Sequence, residues 1–183
     1  MEPAPPAARG SPASGLRPRW VALRRDGRHG RDAPGLRRVN ILAIDQGTSA
    51  TKALVVGDEG VVLSVAECPV HPSTPGDGAV EQDPAELLAS VIAAGRAAIE
   101  RAGVVVHGIG LANQGETVLA WEPDSGQPLT TAISWQDRRA VSVTDALTEH
   151  RARLGELTGL PLDPYFSAPK LAWLRRNRTT EGW

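Results

Sequence analysis

The segment Asp45-Gln46-Gly47-Thr48-Ser49-Ala50-Thr51-Lys52 gathers a carboxylate, a glycine, hydroxyls and an ammonium in a short space. These residue types suit a turn that faces phosphate. Gly47 lets the backbone come close to a ligand. The hydroxyls of Thr48, Ser49 and Thr51, with the N–H groups of the turn, can face anionic oxygens. Lys52 adds a compact positive charge, and Asp45 can hold Mg2+ directly or through water. Phosphoryl transfer asks for alignment and charge neutralisation more than for covalent help. The same composition also fits an ordinary hairpin with Asp and Gly in its turn.

Three more groups follow. Asn113-Gln114-Gly115-Glu116 comes directly after an apolar run, and Glu116 is a good acceptor for a diol; a surface turn is the alternative. In Trp135-Gln136-Asp137-Arg138-Arg139 the indole face of Trp135 suits the carbon side of a polyol. The alternative there is a core tryptophan before a helix that Asp137 caps. In Asp163-Pro164-Tyr165-Phe166, Pro161 and Pro164 stiffen a loop that presents the Tyr165 phenol, or that simply packs.

The elements that must position these groups are readable from pattern. Val39–Ile44, Lys52–Val56 and Val61–Ala66 are short apolar runs separated by turns, which predicts an antiparallel meander. His71 to Gly78 reads as a loop broken by proline and glycine. Asp83-Pro84 opens a helix as N-cap and first residue, Glu86 has capping-box spacing, and Gly103 ends it. Leu87, Leu88, Val91, Ile92, Ala94, Ala98 and Ile99 form its apolar stripe. Val104–Leu111 is expected as a strand reached by a crossover, and Thr117–Trp121 as another. Helices are expected from Arg138 to about Arg153, closed by Gly155, and from Ser167 or Ala168 to about Arg176.

Composition bounds the class. The chain has 183 residues with 41% hydrophobic and 22% charged, as in a globular protein. Its single cysteine, Cys68, forms no internal disulfide. No run reaches the ~18–20 apolar residues of a membrane helix, and no secretory signal is evident, so a cytoplasmic location with no membrane partner is expected. Net charge is −1, which implies no nucleic-acid partner. Residues 1–38 nevertheless carry nine arginines against three acids. Rich in Pro, Gly and Arg, they are expected to be disordered. A basic tail, a targeting peptide and a start upstream of the true one all fit that composition. The globular pattern runs over residues 39–183.

No single group is specific, but their order and spacing are. Asp-Gln-Gly-Thr, a Glu-Gln-Asp-Pro helix start, Asn-Gln-x-Glu-Thr, Ile-Ser-Trp-Gln-Asp-Arg-Arg and Leu-Thr-Gly-Leu-Pro-Leu-Asp-Pro-Tyr-Phe-Ser-Ala-Pro-Lys-Leu together closely resemble the N-terminal domain of the FGGY carbohydrate kinases, glycerol kinase above all. The resemblance covers about residues 40–178. It implies an α/β, ribonuclease-H-like domain with a mixed sheet, of the actin, hexokinase and Hsp70 type, forming the N-terminal half of a two-domain kinase. It implies ATP and Mg2+ as cofactors and a small polyol or sugar as substrate. Asp45 would coordinate the metal. Thr48, Ser49, Ala50 and Lys52 would line the phosphates. Glu116 and Tyr165 would bond substrate hydroxyls, and Trp135 would pack its carbons.

Two departures stand out. Glycerol kinases usually carry arginine where this chain has Gly115, which favours a larger polyol or ketose. The family's catalytic base and its adenosine-binding domain fall beyond Trp183. The chain alone is therefore expected to be inactive, and either a missing C-terminal half or a homo-oligomer is the expected partner. A kinase domain kept as a binding or regulatory module, or a decayed gene product, is the alternative.

Overall fold

The computed structural model describes residues 39–177. The expectation of disorder over residues 1–38 lies outside the described residues.

The meander forms as expected. β1 (Ile41–Gln46), β2 (Ala50–Val56) and β3 (Val62–Pro69) pair antiparallel in sequence. Alternation decides which face is buried. Leu42, Ile44, Ala53, Val55 and Ala66 point to one side, where α1 (Pro84–Ala102) covers them with Ala94 and Ala98. Gly95 faces the sheet, where a Cβ would be in ordinary contact, 3.5 Å, with both Leu42 and Ile44 side chains. After α1 the chain returns through β6 (Gly108–Asn113), which pairs parallel with β1. The sheet order is β3-β2-β1-β6, so it is mixed, with the crossover helix on one face. Among the described residues no helix is long and apolar enough to cross a membrane.

Helix α1 keeps its expected ends and part of its expected stripe: Ala94 and Ala98 are buried, and Val91 and Ile99 pack against the core. Asp83 accepts from the Ala85 N–H at 2.9 Å, and Gly103 closes the helix at φ 61°. Glu86 does not complete a capping box. Its carboxylate takes the His71 ring at 2.6 Å and the His71 N–H at 3.2 Å, and these hydrogen bonds hold its pKa below the usual carboxylate range. Leu88 and Ile92 face outward, and the buried positions are Ser90, Ala94, Gly95 and Ala98.

The segment read as a loop holds a hairpin. β4 (Ser73–Gly76) and β5 (Ala79–Gln82) are joined by Asp77-Gly78, both at positive φ, the two-residue turn that matches strand twist. β5 continues to β7 (Ala132–Ile133), making a second, three-stranded sheet. Thr117–Trp121 is not a strand; it makes only single bridges, Val118 to Ile133 and Trp121 to Pro128.

The helix expected from Arg138 to Arg153 is broken. Arg138 and Arg139 sit in turns, where the Arg138 N–H bonds Gly78 O and the Arg139 N–H bonds Asp137. α2 (Val141–Asp145) is followed by a 3-10 turn at Thr148–His150 and then α3 (Arg151–Thr158). Thr144 and Thr148 each donate a hydroxyl to the carbonyl three residues back, which competes with helix continuation. Gly159, at φ 71°, closes α3, and Gly155 lies inside it. α4 (Ser167–Asn177) starts where expected.

Candidate functional site

β1 and β6 run parallel and end together, so the two segments that follow them lie side by side. The Gln114 N–H reaches Gln46 O at 3.0 Å, and the Thr48 hydroxyl lies 3.3 Å from Gln114 Oε1. The turn after β1 is closed by the Gly47 N–H on Ala50 O at 3.0 Å. A Cβ on Gly47 would sit 2.9 Å from that same oxygen, so only glycine fits.

The carbonyls of this turn face inward. Gly47 O accepts from Gln46 Nε2 at 2.7 Å, Thr48 O from Gln82 Nε2 at 2.9 Å, and Ser49 O from the Val70 N–H at 3.0 Å. Among the described hydrogen bonds the Thr48 and Ser49 N–H groups have no partner. Successive amides left open in a turn can receive an anion. Asp45 and Lys52 are direct partners across β1 and β2, so both side chains lie on the sheet face away from α1. Lys52 is 3.8 Å from Glu67, a pair more than half exposed on both sides and therefore weak. Among the described residues no three His, Cys, Asp or Glu side chains cluster as a metal site. A hard cation here would rest on Asp45, with water and ligand oxygens completing its shell.

On the other side of Thr48 stands Trp135. Its indole Nε1 donates to Thr48 Oγ1 at 2.9 Å, and its backbone N–H donates to Thr117 Oγ1 at 3.2 Å. The Tyr165 ring meets it edge-on, 6.0 Å between centroids at 70°, and Phe166 backs Tyr165 at 5.1 Å. Glu116 holds φ 64°, an uncommon conformation for a residue with a side chain, and its Oε2 takes both the N–H and the hydroxyl of Ser167 at 2.6 Å. Thr48 is thus joined to Trp135 and Gln114, Trp135 to Tyr165, and Glu116 to Ser167, whereas the Asp45 side chain makes none of the described hydrogen bonds to this group.

Three supports were not foreseen. The first is an amide cluster. Gln114 Nε2 donates to Gln82 Oε1 at 2.7 Å and to Gln46 Oε1 at 3.4 Å, and its Oε1 accepts from Thr48 and from Thr117 at 3.1 Å. The common signal was a glutamine at the end of three strands. The second is Lys170, only 1% exposed, whose ammonium donates to the carbonyls of Tyr165 and Phe166. Burial pushes its pKa down, while Glu116, Asp137 and Asp163 pull the other way. One of two lysines in an arginine-rich chain was the signal. The third is Asp137, 1% exposed, which accepts from the Val80 N–H at 2.8 Å and grips Arg139. Arg139 also meets Glu81 at 2.7 Å and lies 4.6 Å above the Trp173 ring. Burial acts to lower the Arg139 pKa, but the Asp137 and Glu81 hydrogen bonds outweigh it and raise it.

Residues 40–181 match the FGGY family of carbohydrate kinases, N-terminal domain. The chain is 48% identical over 139 residues to a glycerol kinase of Cereibacter sphaeroides and 48% identical over 143 residues to one of Thermus brockianus. These alignments cover 74% and 73% of this chain, and the chain spans 28% of the length of each relative. The fold superposes on the Plasmodium falciparum glycerol kinase crystallised with ADP at a TM-score of 0.73 and 28% identity, over 76% of this chain and 29% of that one. It superposes on the xylulose kinase of Rhodospirillum rubrum at 0.71 and 26% identity, over 78% and 30%.

Proposed function

The chain belongs to the FGGY family of carbohydrate kinases, and we propose that it supplies the acceptor pocket and the phosphate-facing turn for transfer of the ATP γ-phosphoryl group to a polyol or sugar hydroxyl. One observation carries this reading: the Thr48 hydroxyl touches Trp135 Nε1 at 2.9 Å and Gln114 at 3.3 Å, so the turn suited to phosphate and the residues suited to a polyol meet at one point.

The roles divide by chemistry. The Thr48 and Ser49 amides, the Ser49 hydroxyl, the Ala50 backbone and Lys52 receive phosphate oxygens. Asp45 holds Mg2+, which when bound would neutralise charge on the phosphates. Trp135 offers its face to the carbon chain, and Tyr165 and the remaining lone pairs of Glu116 receive hydroxyls. The backbone at Gly115 has φ outside the left-handed region, and a Cβ there would meet nothing within 4 Å. A side chain would fit, so its absence leaves acceptor space and favours a substrate larger than glycerol. With Glu116 Oε2 given to Ser167 and Asp45 given to the metal, neither carboxylate serves as the base for the acceptor hydroxyl. The 183 residues by themselves are therefore read as binding without turnover, in a cytoplasmic setting and with no nucleic-acid partner.

The test is a titration of the 15N-labelled chain with Mg·ADP and with a panel of polyols and ketoses. Shifts at Thr48 and Ser49 with nucleotide, and at Glu116 and Trp135 with at least one polyol or ketose larger than glycerol, are expected. A coupled ATP-consumption assay should read background. Absence of response at both sets of residues ends the kinase reading, and robust turnover ends the division of roles.

A further inference from the structure

We propose that Thr48 and Gln114 form a relay that couples the phosphate side of the site to the acceptor side, so that a ligand on the turn sets the pose of Trp135. This rests on the functional reading of the turn and of Trp135 given above.

The direction of the first hydrogen bond is fixed by chemistry. An indole N–H can only donate, so Trp135 Nε1 donates to Thr48 Oγ1. The Thr48 hydroxyl has one proton, and it goes to Gln114 Oε1 at 3.3 Å. The Gln114 amide then donates to Gln82 Oε1 at 2.7 Å, and the Gln82 amide donates to Thr48 O at 2.9 Å. The circuit starts and ends on Thr48. Gln82 is buried, while Thr48, Gln114 and Trp135 are half-buried, so the circuit lies between the core and the surface of the site. Matched donors and acceptors around the circuit make each link depend on the next.

Thr48 faces both ways. Its hydroxyl and carbonyl are committed to Trp135, Gln114 and Gln82, while its N–H is free among the described hydrogen bonds. An anion that draws on this N–H moves the residue that carries the acceptor for Trp135. Trp135 is held at its other end by Thr117, whose hydroxyl also ends on Gln114 Oε1 at 3.1 Å. The indole therefore follows the Thr48–Gln114 geometry at both its ring and its backbone. Thr48 is by this account a positioning residue for Trp135, and the coupling it carries must be reciprocal: acceptor binding at Trp135 changes nucleotide affinity by the same factor.

The experiment uses the full chain with 15N-labelled tryptophan and backbone, the Trp135 indole signal being assigned by its loss in Trp135→Phe. Without ligand, Thr48→Val should move the Trp135 indole N–H resonance and speed its solvent exchange roughly 2- to 10-fold, the equivalent of one hydrogen bond. Thr48→Ser should restore both. With Mg·ADP as probe, the wild-type indole signal should shift along with the Thr48 and Ser49 amides. Thr48→Val should lose the indole response while keeping the Ser49 response. An indole signal that stays still in the wild type while the turn amides shift overturns the relay and spares the nucleotide reading, without need of any variant. Turn amides that ignore Mg·ADP sink the nucleotide reading and the coupling with it. An indole N–H unchanged in Thr48→Val removes the hydrogen bond on which the relay depends.

Discussion

Glu116 Oε2 lies 2.6 Å from both the backbone nitrogen and the hydroxyl oxygen of Ser167, so this carboxylate caps the first turn of α4. Negative charge at a helix start satisfies open N–H groups and complements the helix dipole. Glu116→Ala should cost about 0.5–2 kcal/mol, the range of a lost N-terminal cap. Glu116→Gln keeps an oxygen acceptor and should cost less. Urea unfolding with unchanged slope but graded midpoints checks this. Equal midpoints for the two variants would show that Glu116 does not hold α4.

Lys170 gives a pH signature with a definite sign. Burial lowers its folded-state pKa below the ordinary lysine value, with Glu116, Asp137 and Asp163 opposing and Arg138 adding to the lowering. At neutral pH the ammonium is charged in both states, and the folded protein bears the cost of burying it. As pH rises above the depressed folded pKa toward the ordinary value near ~10.4, the unfolded state holds more protons and this cost fades. Wild-type stability should therefore rise with pH relative to Lys170→Met between those two pKa values. Parallel urea series at stepped alkaline pH test it, and a pH-independent gap between the two proteins contradicts it.

Much of this fold was legible because it is local. The three apolar runs between Val39 and Ala66, the Asp83-Pro84 start and the Gly103 stop each act within a few residues, and the comparisons bear out the ribonuclease-H-like class. What was hidden depends on residues far apart in the chain. Glu86 had capping-box spacing, but His71, fifteen residues earlier, took its carboxylate. Asp137 looked like a cap for a long helix; its other oxygen is claimed by Val80, fifty-seven residues away, and Arg139 is drawn out of helical geometry to join it. Asp77-Gly78 did carry a hairpin signal, outweighed in the reading by Pro72 and Pro75. Type and spacing nominate residues for the candidate site, but not the glutamine contacts, whose meaning comes only from side chains that meet one another.

Two glycines of the site should respond oppositely to a methyl group. Gly47→Ala forces a Cβ to 2.9 Å from Ala50 O, a backbone atom that cannot swing aside. A cost of about 1–3 kcal/mol and loss of the nucleotide-induced shift at Ser49 are expected. Gly115→Ala meets open space and should stay within about 0.5 kcal/mol of wild type. Gly115→Arg should then strengthen glycerol binding roughly tenfold or more through charged hydrogen bonds, read by titration of the Trp135 indole signal. Unaltered glycerol affinity in Gly115→Arg would mean that this position does not reach the acceptor.

The last prediction concerns β6. Among the described residues it is the outer strand of its sheet, and its sequence Gly-Ile-Gly-Leu-Ala-Asn has no charge and no proline. Ile109 is 70% exposed and Leu111 63%, because α1 packs over β1, β2 and β3 but leaves β6 open. An uncharged edge with apolar side chains is a template for pairing with another strand. The chain should therefore self-associate in a concentration-dependent way when it is the only protein present. Ile109→Lys places a charge on that edge and should shift the population toward monomer, while Leu88→Lys, on the exposed face of α1, should not. Light scattering over a concentration series distinguishes them. A wild-type chain that stays monomeric at high concentration refutes association outright. Equal association in wild type and Ile109→Lys, with loss in Leu88→Lys, would move the sticky surface from the sheet edge to the helix.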